Sequence, residues 1–329
     1  MTKNFVLGIV STVVFLANAQ AQSSAQNLPN NYPLKPVKIV VGFAPGGAAD
    51  YVARTLSDSM GKALGQPVII ENKAGAGSSI AAEAVSKSTP DGYTILIASP
   101  SSISVNPALN SKLGYSPKDL IPVSKITSSP LVIAVNPNAG IGSLLELVVK
   151  AKKAPGTINY ATSGNGSAPH LGAALFGQVA GIEMTHIPFR GGGPAIQSVV
   201  AGDTQLTFGT PPSVLPMIQA GRLKGIGVST KERTSLVPGI PGTIEAGVPD
   251  YAIEFWYGIF APNGTPPAVL KKIFDAVQSA MAQPNVKAAL AREGTDVDVS
   301  KTPEQFANFL NEDAKFWVKL VKSAGVKLD

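Results

Sequence analysis

Short β-branched runs alternate with amphipathic segments along nearly the whole chain, and this alternation restricts its fold more than any other feature. The first run, Val37–Val41, is followed by a segment from Ala48 to Leu64 that carries apolar residues at helical spacing. Further strands are predicted at Pro67–Glu71 and Tyr93–Ala98, with a helix at Ile80–Lys87 between them. Strand–helix–strand units of this length predict a parallel sheet that helices cover on both faces.

The same alternation starts again after Pro130 and continues to Val228. The predicted strands of this second set are Leu131–Val135, Ile158–Ala161, Met184–Pro188, Gln205–Phe208 and Leu223–Val228. Its predicted helices are Leu144–Lys153, with Ser143 and Glu146 forming a capping box, then Pro169–Ala180, Pro194–Ala201 and Pro211–Ala220. The pattern predicts a second complete α/β lobe that is inserted into the first.

The remaining segments return to the first lobe. They are a strand at Ile253–Phe260 and helices at Pro267–Met281, Asn285–Arg292 and Pro303–Lys322. An inserted lobe forces the chain to cross between lobes twice, and we place the crossings near residues 126–130 and 229–246. We assign residues 35–128 plus 247–329 to lobe I and residues 129–246 to lobe II. The predicted fold class is α/β, with two Rossmann-like lobes on a two-crossing hinge around a cleft.

The first 21 residues are predicted to be a secretory signal peptide. Lys3 supplies a positive charge, an apolar run extends from Phe5 to Ala17, and small residues follow in the A-x-A pattern that ends at Ala19 or Ala21. The run is shorter than the roughly 20 residues that a membrane-spanning helix needs. We therefore expect a soluble, monomeric protein in the periplasm. With 0 cysteines, no lipid anchor, disulfide or thiol chemistry is expected.

The charge pattern gives little support to nucleic-acid binding. The chain has 27 basic and 21 acidic residues, which are interspersed and give a formal net charge of +6. No block of five like charges occurs, so no basic stripe for a phosphate backbone is predicted. A mild positive field remains available to steer anions toward a cleft.

Three Gly- and Ser-rich segments lie where predicted strands lead into helices, which is where open parallel sheets bind ligands. Glycine lets a ligand approach the backbone, and the free N–H groups of a helix start favour an anion. The predicted ligand-binding residues of the first lobe are Phe43, Ala44, Gly46, Gly47, Asp50 and Ser99. Those of the second lobe are Ser163, Gly164, Asn165, Ser167, His170, Arg190 and Thr210.

Several of these residues allow two interpretations. Asp50 either holds its loop in shape or binds a ligand amine, and Arg190 either pairs with a ligand carboxylate or forms a salt bridge inside its lobe. Trp256 and Tyr257, in the returning strand, are either core residues or part of the cleft wall, with the core favoured.

Enzyme motifs are mostly absent. There is no G-x-S-x-G elbow and no Walker A motif, and the glycine pairs lack the third glycine of a dinucleotide fingerprint. The 2 histidines, His170 and His186, are not at metal-site spacing, so neither metal nor cofactor is predicted. We expect His170 to orient the Ser163–Ser167 loop and His186 to pack within its strand. An exported hydrolase or isomerase that uses Ser163, His170 and Asp50 stays open as an alternative to a binding protein.

Seven motifs, in order, resemble the Bug (tripartite tricarboxylate transporter receptor, TctC-like) family of solute-binding proteins. They are Lys38–Arg54, Leu64–Gly77, Pro90–Thr94, Ser163–Leu171, His186–Gly191, Ala220–Lys224 and Glu245–Gly247. The resemblance covers the chain from about residue 35 to its C terminus. It implies a periplasmic binding protein fold of type II, a hinged cleft and a carboxylate ligand that is delivered to integral-membrane permease subunits (TctA/TctB-like).

The resemblance also implies roles for two loops. In the family, the loop that matches Phe43–Asp50 holds a carboxylate through backbone groups and bridging waters, and the loop that matches Ser163–His170 adds contacts from the other lobe. The chain departs from its relatives at Gln205 and at Gly209–Pro212. The expected ligand is therefore a di- or tricarboxylic or an aromatic carboxylic acid, with its identity open. A ligand-sensing receptor for a signalling kinase is the alternative with the same cleft.

Overall fold

Two mixed β-sheets organise the chain in a computed structural model, which describes residues 32–110 and 112–323. The predicted signal peptide lies outside the described residues. No helix within the described part of the chain is both long and apolar enough to cross a bilayer.

The first sheet contains six strands and is built from both ends of the described chain. Its strands are β1 (Val37–Val41), β2 (Val68–Asn72), β3 (Thr94–Ala98), β4 (Leu120–Pro130), β10 (Glu254–Pro262) and β11 (Asp296–Val297). Its helices are α1 (Ala48–Leu64), α2 (Ser79–Ser86), α3 (Asn106–Leu109), α8 (Pro267–Ala282), α9 (Pro284–Arg292) and α10 (Pro303–Ser323). Between β3 and α3, Ser101–Val105 forms a turn of π-helix.

The second sheet contains five strands and lies within the inserted segment. Its strands are β5 (Val132–Val135), β6 (Asn159–Thr162), β7 (Thr185–Pro188), β8 (Leu206–Gly209) and β9 (Lys224–Val228). Its helices are α4 (Leu144–Lys153), α5 (Ala168–Ala180), α6 (Gly192–Ala201) and α7 (Pro211–Gln219). The two-lobe α/β fold is therefore confirmed.

The strand directions depart from a purely parallel arrangement. In the first sheet, ordered β11-β4-β10-β3-β1-β2, strands β1, β2 and β3 are parallel as predicted, but β10 is antiparallel to both β3 and β4. In the second sheet, ordered β7-β6-β8-β5-β9, only β5 runs against its neighbours β8 and β9. The returning chain re-enters the first sheet from the opposite end, because it has passed through the inserted lobe.

The two crossings between the sheets meet at Ser229. Its backbone N–H donates to the carbonyl of Leu131, and its hydroxyl donates to the carbonyl of Ile253. The Ile253 N–H donates back to the Ser229 carbonyl over 3.0 Å. Residues 126–130, near which the first crossing is predicted, form the end of strand β4, and the chain passes from there through Leu131 into β5. The hinge is therefore narrow and hydrogen-bonded rather than a pair of loose loops.

An aromatic cluster underlies the second sheet. The rings of Phe176, Phe208 and Tyr251 meet with centroid distances of 5.2 to 6.2 Å, and all three side chains are fully buried. Trp317 of α10 belongs to the same apolar cluster and lies 4.8 Å from Phe255. Helix α10 therefore stabilises the molecule on the side where the two sheets meet.

Ser143 caps helix α4, as the sequence predicts. Its hydroxyl accepts from the Glu146 N–H, while the Glu146 carboxylate accepts from the Gly142 N–H rather than from Ser143 itself. Because an alanine leaves the helix N–H unsatisfied, Ser143→Ala is expected to lower the free energy of unfolding by about 1 kcal/mol in urea titrations. Ser143→Gly, the control, should lose only about a few tenths of a kcal/mol, and equal losses for both variants would contradict the capping role.

Candidate functional site

A cleft opens at the carboxyl ends of strands from both sheets. Phe43 follows β1 and Ser99 follows β3, while Ser163, Gly192 and Thr210 follow β6, β7 and β8. All five residues line the cleft, as expected for a ligand site in open α/β sheets.

The cleft is small and two-sided. Its empty volume, including solvent at its mouth, is about 490 Å³. The residues that line it are Phe43, Gly47, Ala48, Ala49, Ser99, Ser163, Ala168, Pro169, Gly192, Ala195, Ile196, Thr207, Gly209, Thr210, Ser213 and Tyr257. None of these side chains carries a formal charge.

Four helices begin at the cleft, and none of them has a side-chain cap. Helices α1, α5, α6 and α7 follow Gly47, Ser167, Gly191 and Thr210, and no side chain at these positions accepts from the helix backbone. Helix α4, which does not line the cleft, is capped by Ser143. The first N–H groups of a helix have no partner inside the helix, so the uncapped starts leave donors for a ligand.

The four helix starts do not contribute equally. Helix α7 begins with Pro211 and Pro212, which have no N–H, so it contributes mainly through its dipole. Helices α1, α5 and α6 begin with Ala48, Ala168 and Gly192, whose N–H groups are intact, although Pro169 removes the second donor of α5. Hydrogen bonding is therefore expected chiefly from α1 in the first lobe and from α5 and α6 in the second.

Asp50 holds the first-lobe loop in shape. Its carboxylate accepts from the Gly46 N–H at 3.0 Å, from Arg54 Nε at 2.9 Å and from Asn72 Nδ2 at 2.9 Å. Asn72 Nδ2 also donates to the carbonyl of Phe43 at 3.0 Å. Burial alone would raise the pKa of Asp50, but the bonds from Arg54, Gly46 and Asn72 lower it below its usual value. Asp50 does not line the cleft, so the loop-holding interpretation agrees with the structure.

His170 holds the second-lobe loop from behind. Its Nδ1 accepts from the Gly166 N–H at 3.0 Å, and its ring stacks on His186 with centroids 3.9 Å apart. His186 in turn stacks on Tyr160 and lies 2.6 Å from the Thr162 hydroxyl. Burial, with a smaller contribution from His186, lowers the pKa of His170 to about 3. His170 is therefore neutral, and its bond to the Gly166 N–H agrees with a role in orienting the loop.

The remaining predicted site residues lie outside the lining of the cleft. Ala44, Gly46, Gly164, Asn165 and Ser167 belong to the two loops that carry the lining residues. Arg190 is exposed and forms no ion pair within residues 32–110 and 112–323, so the predicted salt bridge inside the lobe is not seen.

The residues considered for an enzyme belong to different networks. Asp50 is bonded to Gly46, Arg54 and Asn72, while Nδ1 of His170 is occupied by the Gly166 N–H. A relay through Ser163 would require these groups to exchange their present partners.

Sequence reasoning missed much of the second-lobe wall. The lining residues it did not predict include Gly192, Ala195, Ile196, Thr207 and Ser213. A signal was present, because the three glycines at 191–193 stand at the start of helix α6, much as Gly46 and Gly47 stand at the start of α1.

Tyr257 turns out to be both buried and a cleft residue. It is 8% exposed and lines the cleft. Burial raises its pKa well above the usual value, so its hydroxyl stays protonated and is available as a donor.

The two lobes approach closely around the cleft. A methyl group added at Gly191 would lie 2.8 Å from Cβ of Ala44, and one added at Gly47 would lie 3.8 Å from the backbone nitrogen of Gly192. The structure therefore has the cleft closed, with the starts of α1 and α6 facing each other.

Comparison with known proteins identifies the family. The profile described as "Tripartite tricarboxylate transporter family receptor" (TctC) matches residues 52–326. The chain belongs to this receptor family. It is 32% identical to "Protein BugT" of Bordetella pertussis over 330 residues, covering 100% of both chains.

Solved structures of similar receptors include two with carboxylates. An R. palustris protein solved with adipate is 29% identical, with a TM-score of 0.86 and coverage of 90% of this chain and 99% of that one. MatC from Rhodopseudomonas palustris, with bound malate, is 32% identical, with a TM-score of 0.84 and coverage of 88% and 100%. The expected type II periplasmic binding protein fold is confirmed by these neighbours.

Proposed function

We propose that this receptor captures a small dicarboxylate in the cleft, in the periplasm, and delivers it to a membrane permease of the tripartite tricarboxylate type. The observation that carries the proposal is the convergence of four uncapped helix starts on a cleft without charged side chains. The family assignment and the carboxylates bound to two similar proteins support it.

The charge of the ligand follows from the helix dipoles. Each helix start acts like roughly +0.5 elementary charge, so four of them supply about +2 in total. A dicarboxylate at neutral pH carries two negative charges, which balance the positive charge of the four helix starts, whereas a monocarboxylate balances only half of it. An amino acid would also need an anionic group for its ammonium, and no Asp or Glu lines the cleft.

Closure of the cleft is the proposed mechanism. The donors come from both lobes, so a dicarboxylate makes its full set of hydrogen bonds only when the lobes are together. A ligand shifts an open–closed equilibrium only by its difference in affinity for the two states, and this arrangement supplies that difference. The permease would then recognise the closed shape.

Thermal unfolding of the mature protein with matched acids tests the proposal. Succinate, malate and adipate are compared with butyrate and hexanoate, and citrate and phthalate extend the series to a tricarboxylate and an aromatic acid. At a hundredfold excess over its Kd, a bound acid should stabilise the protein by about 2.7 kcal/mol. We expect the dicarboxylates to raise the Tm and the monocarboxylates of equal length to have much smaller effects.

Two results would count against this function. Unchanged melting curves with every acid would remove the carboxylate assignment. Equal stabilisation by succinate and butyrate would keep a carboxylate site but refute the match to a doubly charged ligand.

A further inference from the structure

A second contact between the lobes lies outside the ligand cleft and centres on Asn106. Asn106 begins helix α3 in the first lobe and is 1% exposed. Its Nδ2 atom donates to the carbonyls of Ala76 and Gly77, both at 3.0 Å, and to the Ser79 hydroxyl at 2.7 Å. One side chain thus fixes a whole turn of the first lobe.

The turn that Asn106 fixes has an unusual backbone. Four successive residues have positive φ, and two of them, Ala76 at 45° and Ser78 at 74°, are not glycine. Gly75 and Gly77 supply the other two values. Non-glycine residues in this region are strained, and such strain persists only where the surroundings hold it. Here the hydrogen bonds from Asn106 hold it, together with the bond from the Ser78 N–H to the Gly75 carbonyl.

The fixed turn and Asn106 lie against the second-lobe loop Ser163–Ala168, here called the ligand loop because Ser163 and Ala168 line the cleft. A methyl group added at Gly77 would lie 2.4 Å from the Asn165 carbonyl oxygen. One added at Gly166 would lie 2.4 Å from Oδ1 of Asn106. Only glycine backbones fit at this approach, and the Asn106 Oδ1 atom has no hydrogen-bond partner among the described residues.

The contact falls on the ligand loop at Gly166, between residues that line the cleft. Gly166 donates its N–H to His170, and the flanking residues Ser163 and Ala168 line the cleft. Asn106 and Gly166 themselves do not line it. We infer that Asn106 is a positioning residue, which seats the Ser163–Ala168 loop of the second lobe when the lobes close and so strengthens ligand binding without touching the ligand.

This inference rests on the proposed capture of a dicarboxylate, and a matched pair of glycine variants tests it. Gly166 and Gly181 both lie in the second lobe, with φ values of 68° and 61°. A methyl group at Gly181 meets nothing within 4 Å, whereas one at Gly166 meets Asn106. Gly166→Ala and Gly181→Ala therefore both place an alanine at a positive φ, but only Gly166→Ala adds contacts between the lobes, with Asn106 Oδ1 at 2.4 Å and Val105 Cγ1 at 3.4 Å.

The affinity for the best dicarboxylate of the melting series is measured by calorimetry, together with unfolding of the ligand-free protein. We expect Gly166→Ala to bind at least about tenfold more weakly than Gly181→Ala, because it lowers the population of the closed form. Both variants should lose similar stability without ligand. X-ray scattering should show that ligand compacts the wild type and Gly181→Ala more than Gly166→Ala.

A double-mutant cycle with Asn106→Ala separates positioning from a general loss of structure. Removing the Asn106 side chain removes the atom that the new methyl group meets, so the double variant should bind no more weakly than Asn106→Ala alone. Additive effects of the two substitutions on affinity would overturn the inference. A coupling free energy in unfolding of the ligand-free protein as large as the coupling in ligand binding would also overturn it. A wild type that binds no carboxylate would instead refute the proposed function.

Discussion

Ser213→Asp is expected to weaken dicarboxylate binding by more than about a hundredfold while leaving the fold intact. Ser213 lines the cleft in the first turn of α7, close to Gly192. A carboxylate there repels each carboxylate of the ligand, and like charges at ~5 Å with an effective dielectric constant of ~20 cost about 3 kcal/mol. That energy corresponds to a factor of more than about a hundred in Kd.

The control for this variant is Ser213→Asn, which has nearly the same shape without the charge. Both substitutions remove the contact of 3.3 Å between the Ser213 and Thr210 hydroxyls, so that loss cancels in the comparison. In the ligand-free protein, Ser213→Asp should melt no lower than Ser213→Asn, because an acid in the first turn of a helix is favourable. Titration calorimetry measures the Kd of the dicarboxylate for both variants. Equal affinities would show that the charge of the helix starts does not select the ligand.

The elements of the second lobe could be predicted because their patterns are local. The helix predicted at Leu144–Lys153 has these bounds in the structure, and its cap at Ser143 is visible as a Ser followed three residues later by Glu. Strand β4 is different. Residues 120–130 bury Ser124, Thr127 and Ser129 together with apolar residues, so no simple alternation marks them as a strand. Their strand is determined by antiparallel pairing with β10, which lies more than a hundred residues later in the chain.

The site shows the same division between local and distant information. The positions of Gly47, Ser99, Ser163 and Thr210 follow from strand ends and helix starts, which the sequence displays. The Asn106 contact could not be predicted in this way. It depends on a strained turn, a buried amide and a loop of the other lobe meeting in space, and none of these marks the sequence around residue 106.

Two buried groups are expected to give opposite pH dependences of stability. His170 sits behind the ligand loop, and burial together with His186 lowers its pKa from 6.5 to about 3. Asp313 of α10 accepts from Trp317 Nε1 at 3.0 Å and borders a groove beside the hinge with Lys231 and Glu254. Burial raises the pKa of Asp313 from 3.8 to about 6, against the opposing effects of its hydrogen bonds and of Lys125.

The direction of each pH dependence follows from whether the folded or the unfolded chain binds the proton more tightly. Between pH 6.5 and 3 the unfolded chain protonates His170 while the folded chain does not, so stability falls as the pH falls. Between pH 3.8 and 6 the folded chain keeps Asp313 protonated while the unfolded chain does not, so stability falls as the pH rises. Each group contributes a slope of up to about 1.4 kcal/mol per pH unit, and the two oppose each other where the windows overlap.

Single substitutions should therefore uncover one slope at a time. Relative to the wild type, Asp313→Asn should gain up to about 3 kcal/mol of stability between pH 4 and 7, because it no longer ionises a buried carboxylate. His170→Asn keeps an acceptor for the Gly166 N–H but cannot be protonated. The wild type gains stability from His170 as the pH rises, and the variant lacks this gain, so its stability relative to the wild type should fall from pH 4 to pH 7. Urea unfolding at half-unit pH steps measures both differences. A fixed cost of either substitution shifts its curve without changing the slope, and the titration of all other groups cancels against the wild type. Curves that stay parallel to the wild type would show that neither group titrates on unfolding as the structure requires.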